Sequence, residues 1–416
     1  MTCLALAIFI GRPAALGADV VVTWLEVAEH VEYDVAEAAG AQRTAVTARA
    51  GAQVALAMFE AANAVDRRYS SFLGTSPAAA GTSAEAAVAS AAHTVITTLF
   101  PNHKTPADDA LVVTLGTVPE GPEKTAGVEL GKRVAAAVIA RAALPAGATF
   151  TEYRPRTAPG VYIDPRLPSI LPFDTAMPPF FMKTAADVRP AGPPALSSEQ
   201  YARDLDEVRR LGAKHSTERP KDQTLLVSPW LNISYPRLLG DVARQPGRSL
   251  VQNARLYAMT LLAMDDTWLA IMDAKMHFAT WRPITAIRNA DQDGNDATTR
   301  DAAWEPLLRT PTHPDYPCGH CGVAAAAATV LEAETGPAPS GGIWLRSYDK
   351  NPGMRRVLPT WKAFVDEMSL SRIYAGAHTR FANEAAEAMG RELARRALAG
   401  FMRPLAPGAA PATAGR

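Results

Sequence analysis

The segment TPTHPDYPCGHCGVAAAAATVLEAETG (310–336) decides the fold, because a proline-rich part changes there into a predicted helix. Its first part is interrupted by prolines, which are poorly tolerated inside helices and central strands. After Pro317, an alanine-rich stretch runs to Gly336, which predicts a helix that begins near Gly319. The first backbone N–H groups of such a helix are free to bind an anion, and His320 beside them can exchange a proton near neutral pH. A capping histidine in a tight turn is the alternative interpretation.

Helical patterns extend from this segment in both directions. Alternating strand patterns are scarce, and no internal repeat is evident. Apolar residues recur with helical periodicity, or helix start and stop signals frame the segment, over 51–65, 83–100, 122–147, 197–212, 250–288, 320–335, 359–368 and 371–400. The sequence therefore predicts an all-α protein built from helical bundles.

The prolines predict how the chain is divided. A proline-rich stretch over 151–196 is predicted to be a long, ordered connection, since its aromatic residues favour packing over disorder. It separates an N-terminal helical part (19–150) from a C-terminal helical bundle (197–402) that contains the candidate site. A flexible tail over 403–416 is predicted to follow.

The composition limits the class of protein. The 416 residues include 42 basic and 42 acidic side chains, so no overall positive field attracts nucleic acid, and an anion must be bound by a few local cations. No apolar run reaches the roughly 20 residues of a membrane span. The apolar run CLALAIFI and the small residues after it predict a signal peptide over 1–18, and hence export to the periplasm or secretion; an apolar first helix is the alternative.

Two pairs of residues are chemically notable, although each pair alone has an ordinary explanation. In IMDAKMHFATWRPITAIR (271–288), Lys275 and Arg282 lie seven residues apart, which places both on one face if the segment is a single helix. The alternative is two cations that snorkel or form salt bridges. In the predicted helix over 371–400, Arg372 precedes His378 by six residues, and such a histidine is usually structural.

Together the blocks K-x6-R-P, P-C-G-H and S-R-x5-H supply three permanent cations, a helix N-terminus and two imidazoles, which is what an oxyanion site requires. These blocks resemble the signature of the vanadium-dependent haloperoxidases and the related type 2 phosphatidic acid phosphatases, K-x6-R-P, P-S-G-H and S-R-x5-H. The stretches 19–30 and 193–212 also resemble the soluble bacterial haloperoxidase-like branch. The resemblance covers most of the chain after residue 19.

The resemblance implies a vanadate site that phosphate can also occupy. His378 would be the ligand to vanadium, or the nucleophile of a phosphatase, and His320 the general acid and base. Lys275 would act on bound peroxide, and His313 occupies a position where bromide-oxidising members have histidine. The implied cofactor-binding residues are Lys275, Arg282, Cys318, Gly319, Arg372 and His378.

This sequence departs from the family pattern at two positions. Cys318 replaces the family serine, and a thiol is a weaker hydrogen-bond donor than a hydroxyl. Ala382 stands where many members have an aspartate that orients the last histidine. We therefore expect a weakened oxyanion site, or one that another residue has rescued.

The cysteine substitution also creates C-G-H-C (318–321), the active motif of thioredoxin-like disulfide isomerases. The proline-broken segment before it argues against a thioredoxin domain, which needs a strand there. A disulfide between Cys318 and Cys321 that acts as a redox-sensitive lock on the oxyanion site remains a hypothesis.

Three functions follow from the resemblance. The first is oxidation of halide by hydrogen peroxide at bound vanadate. The second is hydrolysis of a phosphate ester through a phosphohistidine, by a soluble acid phosphatase. The third is a catalytically weakened member of the family. A homodimer is compatible with such bundles, although no residue pattern demonstrates it.

Overall fold

The structure is a computed structural model that describes residues 19–38, 45–146, 156–163, 176–347 and 356–406. The described residues form thirteen α-helices and one two-stranded antiparallel hairpin of β1 and β2, so the predicted all-α class is confirmed. The helices are α1 (Val20–Ala38), α2 (Ala45–Val65), α3 (Ala84–Leu99), α4 (Thr105–Gly116), α5 (Pro122–Ala142), α6 (Glu199–Leu211), α7 (Lys221–Leu231), α8 (Tyr235–Ala243), α9 (Leu250–Phe278), α10 (Pro283–Arg288), α11 (Gly319–Thr335), α12 (Trp361–Tyr374) and α13 (Arg380–Gly400), and the strands are β1 (Ile343–Trp344) and β2 (Val357–Leu358).

Several sequence predictions concern residues outside the described part of the chain. The predicted signal peptide (1–18) lies there, as do parts of the predicted proline-rich connection and residues 407–416 of the predicted tail. Within the described residues, no helix is long and apolar enough to cross a membrane.

The prediction of one helix through Lys275 and Arg282 is wrong. Helix α9 ends at Phe278, where Ala279 adopts a left-handed conformation with φ 47°. Arg282 has extended backbone angles (φ −81°, ψ 156°) and caps α10, whose first residue is Pro283. The residue before a proline is disfavoured in the helical region, and a proline fits the first turn of a new helix, so W-R-P ends one helix and starts another.

The prediction of one helix over 371–400 is also wrong. Arg372 lies in the last turn of α12, and His378 lies in the segment between α12 and α13. Gly376 makes this break, since its φ of 71° favours glycine and a Cβ there would come within 2.6 Å of the carbonyl oxygen of Gly212. The break places the imidazole of His378 beside a helix end, where the other site residues meet.

Helix α9 is buried at the centre and packs against α2, α11 and α13. The N-terminal half of α11 approaches α13 closely, because a Cβ on Gly390 would lie 2.1 Å from the carbonyl oxygen of Gly322. This close packing fixes the start of α11 against α9 and α13, and that start is where the candidate site lies.

Part of the predicted connection is tied to α9 by a buried carboxylate. The backbone N–H groups of Phe180 and Phe181 donate to Asp266 at 2.8 Å and 2.6 Å. The neighbouring Asp265 accepts a hydrogen bond from Arg49 of α2 at 2.6 Å. These contacts attach the described residues around 180 to the helical core.

Candidate oxyanion-binding site

The residues predicted from the three sequence blocks come together, although they belong to five different elements. Lys275 comes from the last turn of α9, Arg282 from the cap of α10, and Arg372 from the end of α12. Residues 313–320 form a loop and the start of α11, and His378 comes from the segment before α13. The three cations and His378 are almost completely buried, with at most 1% of each residue exposed.

Arg282 connects several parts of the site. Its Nε donates to the carbonyl oxygen of His313 at 2.6 Å, and Nη1 donates to that of Ala377 at 2.8 Å. Nη1 also lies 3.1 Å from Nε2 of His378, and Nη2 lies 3.0 Å from Nδ1 of His313. Burial lowers the pKa of Arg282 to about 10, so the guanidinium remains charged at neutral pH. One buried cation thus holds the loop and both imidazoles in place.

Lys275 binds the loop that precedes α11. Its Nζ donates to the carbonyl oxygens of Pro314 and Asp315 at 2.6 Å and 2.8 Å. Burial and then the charge of Arg282 lower the pKa of Lys275 well below its usual value, while Asp315 opposes that shift. An anion bound nearby would favour the charged lysine for the same electrostatic reason.

Asp315 is the site residue that the sequence analysis missed. Its Oδ1 lies 2.6 Å from Nδ1 of His378, an ion-pair distance, and 3.8 Å from Nη1 of Arg282. Its Oδ2 accepts a hydrogen bond from the hydroxyl of Thr379 at 2.8 Å. Asp315 thus places a carboxyl group next to His378, whereas position 382 carries an alanine. The sequence offered one signal for it, because Asp315 is an acidic residue between Pro314 and Pro317, shortly before α11 begins.

Asp315 lies on the Nδ1 side of His378, and its Oδ1 makes no hydrogen bond to the described residues. A carboxylate next to Nδ1 favours the proton on that atom and leaves the lone pair on Nε2. Burial, and then the charges of Arg282, Lys275 and Arg372, lower the pKa of His378 well below its usual value. A neutral imidazole surrounded by cations is suited to bind the central atom of an oxyanion through Nε2, the nitrogen that Nη1 of Arg282 contacts at 3.1 Å.

Arg372 has two buried donors that the other site residues do not use. Its Nε and Nη1 are buried and have no hydrogen-bond partner among the described residues. Buried charged groups normally have such partners, because desolvation without them is costly. Unpartnered N–H groups of a guanidinium suit the oxygens of a tetrahedral anion, so the donor set fits vanadate or phosphate. The described residues contain no group of three or more His, Cys, Asp or Glu arranged to hold a metal ion directly.

The start of α11 adds the backbone of Gly319 and the side chain of His320. A Cβ on Gly319 would lie 2.6 Å from the ring of Trp268, so only glycine fits there. Gly319, His320 and Trp268 line a cavity of about 260 Å³ whose other walls are mainly apolar. Burial, and then the three site cations, lower the pKa of His320 well below its usual value. His320 is therefore neutral at pH 7 and able to accept a proton.

Cys318 and Cys321 lie at the same helix start. Cys318 is the N-cap of α11, and its Sγ accepts the backbone N–H of Cys321 at 3.4 Å. The two Sγ atoms are 2.8 Å apart, and both residues are fully buried as free thiols. An irregular proline-containing segment precedes the helix, so the motif lies outside the strand–helix setting of a thioredoxin domain.

Comparison with known proteins shows which fold this chain resembles. Residues 255–406 match the family described as the VCPO second helical-bundle domain. The resemblance inferred from the sequence, to the vanadium haloperoxidase and type 2 phosphatidic acid phosphatase superfamily, is confirmed. No curated protein sequence matches the chain.

Solved structures extend the similarity of fold to nearly the whole chain. A bacterial vanadium-dependent iodoperoxidase superposes with a TM-score of 0.77 at 21% identity, over 96% of this chain and 100% of that one. The apo form of a bacterial vanadium-dependent chloroperoxidase gives a TM-score of 0.63 at 16% identity, over 92% and 94%. A holo form of such a chloroperoxidase gives 0.63 at 17% identity, over 92% of each chain.

Proposed function

We propose that this protein is a haloperoxidase-like enzyme that binds vanadate and uses hydrogen peroxide to oxidise a halide ion. The observation that carries the proposal is Arg372, a buried guanidinium whose Nε and Nη1 lack partners among the described residues, in a site with two more cations and a neutral histidine. The similarity of fold to vanadium-dependent iodo- and chloroperoxidases supports the same activity.

Different residues of the site would bind the oxygens and the central atom of vanadate. Arg372, Arg282 and Lys275 would neutralise the charge of its oxygens, and the backbone N–H of Gly319 at the helix start would add a neutral donor. His378 would bind the central atom through Nε2, because Asp315 contacts Nδ1. When bound, vanadate supplies an electrophilic centre at which hydrogen peroxide becomes able to oxidise halide.

His320 would move the proton that the reaction requires. Its neutral imidazole would accept a proton from hydrogen peroxide as that molecule enters the site, and later donate that proton. The low pKa of His320 would rise when an anion offsets the charges of the surrounding cations. The same residue can thus act first as base and then as acid.

A phosphatase would use the same cations, since phosphate and vanadate share shape and charge. In that reaction Nε2 of His378 would attack phosphorus, and His320 would protonate the leaving alcohol. The third hypothesis, a weakened member of the family, rested partly on Ala382. The contact of Asp315 with His378 argues against that hypothesis, because it supplies a carboxylate at the imidazole from another position.

The purified protein should be incubated with orthovanadate and assayed in parallel for two activities. We expect peroxide-dependent oxidation of iodide, bromide or chloride, and little hydrolysis of a chromogenic phosphate ester. Hydrolysis without halide oxidation would assign the phosphatase instead. If neither activity appears and no vanadate binds, the weakened member remains.

A further inference from the structure

The thiols of Cys318 and Cys321 are adjacent at the start of α11. The proposed function requires at most one hydrogen-bond donor from this pair. The Sγ atoms of Cys318 and Cys321 are 2.8 Å apart, with the thiol of Cys321 donating to Cys318. A disulfide requires about 2.05 Å between sulfurs, so a small side-chain movement suffices to join them. Their positions, at the cap and in the first turn of α11, allow a bond within one helical turn.

The surroundings give the two thiols different reactivity. Burial acts to raise the pKa of Cys318, but the hydrogen bond from Cys321 and the charge of Arg372 lower it below its usual value. Burial and the same hydrogen bond raise the pKa of Cys321 well above its usual value. Cys318 is thus the nucleophile of the pair, and Cys321 is a proton donor held next to it.

A cavity borders the two residues that separate the cysteines. Gly319 and His320, the two residues between the cysteines, line the cavity of about 260 Å³. The cysteines themselves are fully buried behind them. A protein oxidant cannot reach either sulfur, so the pair requires a small oxidant such as hydrogen peroxide.

We propose that Cys318 and Cys321 form a peroxide-oxidisable dithiol that closes to an intramolecular disulfide inside the oxyanion site. The sulfur of Cys318 attacks one oxygen of hydrogen peroxide, the O–O bond breaks, and the second oxygen leaves as water after taking the thiol proton. The sulfur of Cys321 then attacks the resulting sulfenic acid, and its hydroxyl group leaves as a second water. The two thiols lose two electrons and two protons, and the peroxide is reduced to two waters.

Oxidation of the pair and binding of an oxyanion are coupled. Arg372 and Lys275 both lower the pKa of Cys318, and the proposed function assigns the same two cations to the oxyanion. A bound anion offsets their charge and so disfavours the reactive thiolate, and this coupling is reciprocal at equilibrium. This part of the inference rests on the proposed function, whereas closure of the disulfide does not.

Mass spectrometry after peroxide treatment tests the closure. In a full-length Cys3→Ser background, reduced protein is treated with hydrogen peroxide and then alkylated. We expect a 318–321 disulfide with the loss of two hydrogens. Cys321→Ser should stop at a sulfenic acid on Cys318 that dimedone traps, and Cys318→Ser should leave Cys321 free to be alkylated. Oxidation of the parent without a disulfide, or equal oxidation of Cys321 in Cys318→Ser, would overturn the proposal.

Inorganic phosphate tests the coupling. Saturating phosphate should slow disulfide formation about fivefold or more in the parent, and Arg372→Met should abolish that protection. An unchanged rate in the parent would overturn the coupling. Neither experiment needs vanadate, halide or turnover, so failure of halide oxidation and failure of this inference are distinguishable.

Discussion

The Oδ1 atom of Asp315 lies 2.6 Å from Nδ1 of His378, and this contact joins the loop before α11 to the segment before α13. Thr379, next to His378, donates its hydroxyl to the other carboxylate oxygen at 2.8 Å. The carboxyl group beside this imidazole therefore comes from the loop before α11, whereas position 382 carries an alanine.

Replacing Asp315 tests this arrangement. Asp315→Asn should lower vanadate affinity about 10- to 100-fold, because partners that orient a ligating histidine typically contribute that much. Equilibrium dialysis of orthovanadate measures the effect. Thr379→Val, which removes only the hydroxyl that donates to Asp315, is the matched control and should cause a smaller loss. Unchanged affinity in Asp315→Asn would show that Asp315 does not position His378.

Replacing Arg372 should affect binding and stability in opposite directions. Arg372→Met removes a buried cation whose Nε and Nη1 have no partner among the described residues. We expect a loss of oxyanion affinity of about a hundredfold and a ligand-free protein that is more stable by about 1–3 kcal/mol. Urea unfolding with and without phosphate measures both, since phosphate stabilises only a protein that binds it. Lower stability with unchanged phosphate binding would indicate a purely structural arginine.

Replacing His320 should separate catalysis from binding. His320→Ala is expected to lower kcat about 10²- to 10⁴-fold, the usual contribution of a general acid or base, while vanadate affinity changes little. The exposed His215→Ala variant serves as a control and should match the parent. A proportional loss of affinity and rate would instead make His320 a binding residue.

The low pKa of His320 also predicts a pH profile. The pKa of this histidine lies well below 6.5 in the free protein, owing to burial and the three cations. His320 therefore stays unprotonated in the vanadate-free protein as the pH falls to 6.5. The NMR chemical shifts of the imidazole, recorded against pH without vanadate or phosphate, measure this titration. A midpoint above 6.5 would contradict the environment described for the imidazole.

Asp266 lies outside the site, and its buried carboxyl group should make the stability of the protein depend on pH. Burial, and then the charge of Asp265, raise the pKa of Asp266 to about 7. The folded protein binds this proton more tightly than the unfolded chain, so the contribution is fully present below the usual carboxyl pKa and is lost as the pH rises through 7. Between pH 5 and pH 8 the free energy of unfolding should fall by about 2–4 kcal/mol.

The Asp266→Asn variant isolates this contribution. Urea unfolding at both pH values should show a smaller difference than in the parent, because the amide does not titrate. An equal difference in parent and variant would show that another group causes the pH dependence.

The sequence predicted the helical class and four residues of the site, but it did not reveal two helix breaks or Asp315. Lys275, Arg282, Arg372 and His378 could be selected because their spacing within short blocks is local information. The helix breaks at Pro283 and Gly376 were also local, and were missed because apolar periodicity continues across both. Asp315 could not be found in this way, since its contact with His378 depends on how α11 and α13 pack.

Binding of orthovanadate to the parent and to Arg372→Met tests the central claim most directly. Equilibrium dialysis should find one vanadate per chain in the parent and a loss of affinity of about a hundredfold in the variant. Absence of vanadate binding in the parent, or equal affinity in both proteins, would contradict an oxyanion site built from these buried cations.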